Sequence, residues 1–182
     1  MNEYDSERVA GLLKRERYEL TEVAEEADLI LLNTCAIREK AEDKVFSRLG
    51  QLRTLKQQRP EVLIGVMGCM AQLWQGKILE RAPHVDLVFG SAAVARVAEL
   101  VEQARSAGAP IVEVREAPLV KLTAKPERPG QLKAFVTVME GCEKFCTFCV
   151  VPVTRGRERS HPPESVVAEV RELAAAVPGR RE

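Results

Sequence analysis

Three of the five cysteines fall on one short segment, Cys142-x3-Cys146-x2-Cys149. Three thiols so close together form a soft donor set, suited to an iron-sulfur cluster or to zinc. Gly141, directly before the first of them, lets the backbone wrap tightly. Zinc would need a fourth ligand to close its tetrahedron. His161 is the nearby candidate, but it precedes two prolines and has no helical histidine spacing. A four-iron cluster on three cysteines instead keeps one iron without a protein ligand, open to substrate or cofactor as a catalytic zinc keeps an open position. Spacing and context together favour the cluster.

The other two cysteines are Cys35, after the apolar run ADLILLNT, and Cys69, after EVLIGVMG. Every cysteine thus follows the carboxyl end of an expected strand, the edge of an open α/β sheet where ligands gather. Singly, Cys35 and Cys69 read equally well as small core residues. An odd cysteine count behind the acidic, polar opening MNEYDSERVA argues for a reducing compartment, hence a cytoplasmic protein, and for metal or redox chemistry over a disulfide framework.

The elements that must hold these residues follow from hydrophobic period. Asp5 and Ser6 are expected to cap a first helix running to about Tyr18, with Val9, Leu12 and Leu13 on one face. Ala27 to Asn33 reads as a buried strand, about Ile37 to Gln58 as a long helix ended by Pro60, and Glu61 to Met67 as a second strand. Ala71 to Arg81 is expected to be helical, Val85 to Phe89 a strand, Ser91 to Ser106 a helix closed by Gly108, and Ile111 to Val114 a strand. Continuous apolar strands joined by helices predict an α/β fold, an open parallel sheet with helices on both faces. Prolines 118, 126 and 129 with Gly130 punctuate a basic stretch without period, so residues 1–114 read as one domain and 115–131 as a linker. Residues 132–182 hold a strand over Lys133 to Met139, the cysteine loop and a helix over about Glu164 to Val177. One strand and one helix cannot close a core, so this second domain reads as incomplete.

Composition narrows the classes. Lys plus Arg and Asp plus Glu number 27 each, which removes any net field drawing the whole molecule to nucleic acid or an anionic membrane. No apolar run reaches the roughly 18 residues of a membrane span. Aromatic residues, at 4%, are too few for a base-stacking surface. The basic run Arg155, Arg157 and Arg159 could touch a nucleic-acid phosphate, and reads equally well as a solvated loop. An electron carrier of ferredoxin type would need a fourth cysteine on the cluster; a zinc-stapled RNA-binding module would use Cys142, Cys146, Cys149 and His161.

The segment MEGCEKFCTFCVVPVTRGRE resembles the cluster loop of the radical S-adenosyl-L-methionine (SAM) enzymes, and Phe148 before the last cysteine matches their pattern. NTCAIREKAEDKVFSRLGQL, IGVMGCMAQ and VDLVFG are similar to the methylthiotransferase amino-terminal domain, and the resemblance spans essentially the whole chain. MNEYDSE and NTC-x-IREKA point to the branch acting on N(6)-isopentenyladenosine beside the tRNA anticodon, rather than to the ribosomal-protein or threonylcarbamoyladenosine branches.

The resemblance implies transfer of a methylthio group to carbon 2 of that base with two 4Fe-4S clusters and SAM. It assigns Cys142, Cys146, Cys149 and Phe148 to the SAM-binding cluster site, and Cys35 and Cys69 to an auxiliary cluster, with no catalytic side chain. It further implies a tRNA substrate, an electron donor such as flavodoxin or ferredoxin, a monomer, and the first part of a radical SAM α/β barrel over residues 132–182. The family's first strand and third auxiliary cysteine, in a Gly-Cys-Gln segment before the Met-Asn-Glu-Tyr-Asp opening, are expected to lie outside this chain. So are the rest of the barrel and the carboxyl-terminal RNA-binding domain, and the chain alone is expected to be inactive. Val153 stands where that branch usually has tyrosine, and His161 where arginine is usual.

Overall fold

A computed structural model of the chain describes residues 2–36, 39–114, 134–144 and 146–176. The expected linker over 115–131 lies outside the described residues. Four parallel strands form one continuous sheet in the order β1 (Leu29–Thr34), β2 (Leu63–Gly68), β3 (Leu87–Phe89) and β4 (Ile111–Glu113). The connecting helices are α2 (Glu39–Gln58) between β1 and β2, α3 (Cys69–Trp74) and α4 (Lys77–Arg81) between β2 and β3, and α5 (Val97–Ala107) before β4. Helix α1 (Asn2–Arg15) precedes β1.

The period-two alternation of a strand sorts the core into two halves. Leu63, Met67, Leu87 and Phe89 face α1 and α5, where Val9, Leu13, Val97, Leu100, Val101 and Ala104 meet them. Ile64, Val66 and Val88 face the other way, against Leu49 and Leu52 of α2, Ala71 of α3 and Ile78 of α4. Both faces of the sheet are therefore covered, which explains why β2 is buried at every position. Strand β1 is half-buried except at Thr34, because a cleft of about 1550 Å³ opens between α1, β1 and the segment joining them.

Several expected elements differ in detail. Helix α1 begins at Asn2, so Asp5 and Ser6 lie inside it and cap nothing; Asp5 is instead 2% exposed, turned into the protein. It ends at Arg15, with Arg17 in the left-handed region (φ 66°) and Tyr18 N–H bonded to the Leu13 carbonyl. The single helix expected over Ala71 to Arg81 is broken by Gln75 (φ 50°, ψ −129°) and Gly76. The helix expected from Ser91 opens as a 3-10 turn over Ser91–Arg96 and becomes α-helical only at Val97; Gly108, left-handed at φ 63°, closes it.

In the second segment, the strand expected over Lys133 to Met139 is reduced among the described residues to β5 (Met139–Glu140). It pairs antiparallel with β6 (Arg159–Ser160), not parallel as a barrel strand would, since its neighbour is the returning chain of its own loop. Between them stands α6 (Val151–Arg155), and beyond them α7 (Pro163–Ala176). Among the described residues no helix is long and apolar enough to cross a membrane.

Candidate metal centre

Strands β1 and β2 run side by side from Leu29↔Leu63 to Thr34↔Gly68, so the residues that step off their ends are Cys35 and Cys69. The Thr34 hydroxyl, fully buried, donates to the Met67 carbonyl at 2.6 Å and ties the two ends together. Only glycine fits at position 68. Its φ of 95° is closed to most side chains, and a Cβ there would stand 2.6 Å from the Thr34 carbonyl oxygen and 2.7 Å from Asn33 Oδ1. Asn33 Nδ2 donates to Ser6 Oγ at 2.8 Å and to the Asn2 carbonyl, which fastens α1 to the same edge.

Cys69 is the first residue of α3 and is buried; Cys35 is half-buried, and all five cysteines are free thiols. The guanidinium of Arg155, at the end of α6, reaches Cys69: its Nε donates to Sγ at 3.3 Å. Its Nη2 donates to Asn2 Oδ1 at 3.0 Å and forms an ion pair with Asp5 Oδ2 at 2.6 Å. Burial works against the charge on Arg155, but the Asp5 carboxylate and the Cys69 sulfur more than offset it and raise its pKa above the ordinary arginine value.

The cysteine triplet lies on the loop that leaves β5. Gly141 has φ 77°, and a Cβ there would fall 2.0 Å from the Arg157 carbonyl oxygen, so the outgoing and returning chains touch at this point. Cys142 N–H bonds to the Gly156 carbonyl at 3.2 Å and Cys149 N–H to the Cys146 carbonyl at 2.9 Å, which folds the loop back on itself. Cys142 and Cys149 are half-buried, Cys146 is exposed, and Phe148 is 95% exposed beside them.

Among the described residues no three His, Cys, Asp or Glu side chains converge as a metal-holding group. The fold thus brings Cys35 and Cys69 to one edge and puts Cys142, Cys146 and Cys149 on one loop without closing either set around a common point. The donor chemistry still suits an iron-sulfur cluster: three free, soft thiols on a loop whose backbone is pinned at Gly141 and Cys142. His161 has its main-chain N–H on the Val138 carbonyl, and its Nε2 is buried with no hydrogen bond among the described residues.

Of the basic run, Arg157 is open to solvent and pairs loosely with Glu143, whereas Arg155 is buried and unavailable to a phosphate. From sequence, Asn2 and Asn33 drew no notice, Asp5 was assigned to a helix cap and Arg155 to a basic run open to phosphate, and neither assignment matches the position of the side chain. One signal was present: Asp5 shares the α1 face of Val9 and Leu13, and a carboxylate on an apolar face demands a buried cation. Nothing in RGRER distinguishes which arginine supplies it.

Residues 1–90 match the family model described as "Uncharacterized protein family UPF0004". The chain is 54% identical over 176 residues to the tRNA-2-methylthio-N(6)-dimethylallyladenosine synthase of Pseudomonas paraeruginosa, covering 96% of this chain and 40% of that protein. Proteins of the same name in Vibrio cholerae and Oceanobacillus iheyensis are 48% and 49% identical over 96% of this chain, and 37% and 34% of their own lengths. The chain therefore spans about two-fifths or less of these relatives.

Proposed function

We propose, for a chain that belongs to the methylthiotransferase family through the UPF0004 domain at residues 1–90, a part in methylthiolation of tRNA at carbon 2 of N(6)-dimethylallyladenosine. The observation that carries this reading is the thiol loop of residues 142–149, set on a backbone that Gly141 alone permits and joined to the sheet edge bearing Cys35 and Cys69. Cys142, Cys146 and Cys149 would hold one 4Fe-4S cluster together with SAM, and Cys35 and Cys69 would be ligands of an auxiliary cluster. When bound, the first cluster supplies a low-potential electron for reductive cleavage of SAM. Phe148, 95% exposed and next to Cys149 in the chain, would offer that cofactor an apolar surface.

The chain's own groups act by position. Gly141 lets the start of the thiol loop pass close against the Arg157 and Gly156 carbonyls, and Gly68 lets the β1 and β2 ends approach so that Cys35 and Cys69 leave adjacent strands. Residues 132–182 would begin a radical SAM barrel, with 115–131 the linker to it. A tRNA substrate, a flavodoxin- or ferredoxin-type electron donor, a monomeric state and a cytoplasmic site of action complete the reading.

Anaerobic reconstitution with iron and sulfide tests it. Roughly four irons per chain should bind through the triplet, because three local thiols form a site without long-range closure. Replacing Cys142, Cys146 and Cys149 together by alanine should abolish the iron-sulfur absorbance. Full iron content in that triple variant would sink the assignment.

A further inference from the structure

Arg155 is the point at which the cysteine-triplet segment grips the sheet edge. From α6, six residues beyond Cys149, its guanidinium meets three groups near the sheet edge: Nε donates to Cys69 Sγ, Nη2 donates to Asn2 Oδ1, and Nη2 also forms an ion pair with Asp5 Oδ2. The side chains of Arg155 and Asp5 are 6% and 3% exposed, so water cannot replace a lost partner. Around this centre a second tier joins the same two segments. Arg8 Nη1 donates to Glu140 Oε1 at 3.2 Å, the Tyr4 hydroxyl reaches Glu169 Oε2 at 3.4 Å, and Ser91 Oγ donates to the Thr154 carbonyl at 3.0 Å.

We propose that Arg155 is a positioning residue: its Nε–H holds the Cys69 sulfur while its Nη2 anchors on Asp5 and Asn2, so that the thiol loop and Cys69 are set at a fixed separation. A planar guanidinium can serve a sulfur and a carboxylate at once from separate nitrogens. A lysine ammonium, a single point charge on a flexible stem, cannot hold both in one geometry. The pairing concerns groups of this chain only, so it stands apart from the cluster reading and is tested without metal.

The experiment is hydrogen exchange of arginine side chains by NMR on the metal-free 182-residue protein, with the Arg155 Nε–H resonance identified by its loss in Arg155→Lys. In the wild type this proton should exchange at least about tenfold more slowly than that of exposed Arg157, since exchange requires local opening. Cys69→Ala should shift the resonance and remove most of that protection, as should the near-isosteric Cys69→Ser with its shorter reach, while Cys35→Ala leaves it unchanged. An arginine that merely packs against Asp5 would not respond to position 69. Arg155→Lys should also raise amide exchange at Val153 and Thr154 several-fold, showing that the ammonium does not hold the segment. The proposal is overturned if Arg155 Nε–H exchanges as fast as that of Arg157, if neither Cys69 variant moves it, or if the lysine variant protects Val153 and Thr154 as well as the wild type does.

Discussion

Thr34 stands opposite Gly68 in the last register pair of β1 and β2, and its hydroxyl closes on the carbonyl just before that glycine. The two strands thereby end at the same height, and the next residue of each is a cysteine. Gly68 is strained for any other side chain by its φ of 95° and by the Thr34 carbonyl that a Cβ would meet.

Gly68→Ala should therefore destabilise the sheet domain by at least about 1–3 kcal/mol, the usual range for one residue forced into such a conformation. Gly76→Ala is the matched control: its φ is −60° and a Cβ there meets nothing within 4 Å, so it should change stability by no more than about 0.5 kcal/mol. Urea denaturation of the two variants checks both values. Equal midpoints would show that the strand ends can separate freely.

At Gly141 the same physics acts on the thiol loop. An alanine Cβ would collide with the Arg157 and Gly156 carbonyls, which are backbone and cannot swing away. Gly141→Ala should break the Cys142 N–H bond to Gly156 and lower iron uptake on reconstitution several-fold. The urea midpoint of the sheet domain, whose core lies elsewhere, should hardly move. Undiminished iron binding would mean that loop closure does not organise the thiols.

Asp86, just before β3, takes two bonds from Lys56 Nζ at 2.9 Å and one from the Ile64 N–H at 2.8 Å, joining α2 to two strands. With side-chain exposures of 18% and 25%, this pair is partly shielded from water. Asp86→Ala should cost about 1.5–3 kcal/mol, the range for hydrogen bonds to a charged group. Asp86→Asn, which keeps an acceptor for Ile64, should cost less. A double-mutant cycle with Lys56→Ala measures the coupling.

Glu99 receives Arg96 through two bonds of 2.9 Å, and this donation, ahead of all other influences, holds its carboxyl below the ordinary value of 4.5. A depressed folded-state pKa means that the folded protein favours the ionised form. The stabilisation is complete above the ordinary value and fades as pH falls through the depressed one. Glu99→Gln should thus melt slightly below the wild type near neutral pH, with the gap closing in acid. The pair is exposed, so molar salt should also shrink the gap. Thermal melts across pH and salt decide it; a gap that widens in acid would reverse the sign.

What the sequence determined by itself is local. The apolar runs that become β1, β2, β3 and β4, the helices between them, and the placing of every cysteine just beyond a strand were legible because side-chain period and strand length are written within a few residues. The break at Gln75 and Gly76 was not, since Ala71 to Arg81 keeps helical spacing across it. Nor was the shortness of β5, which depends on which neighbour it finds.

The inward turn of Arg155 was decided only by tertiary structure. Arg155, Arg157 and Arg159 look alike in sequence, yet Arg155 alone is placed by α6 against Asp5, whose position on the apolar face of α1 leaves it buried and in need of a cation. A buried charge takes whichever partner packing delivers, here across 150 residues of chain between Asp5 and Arg155. No spacing rule spans that distance.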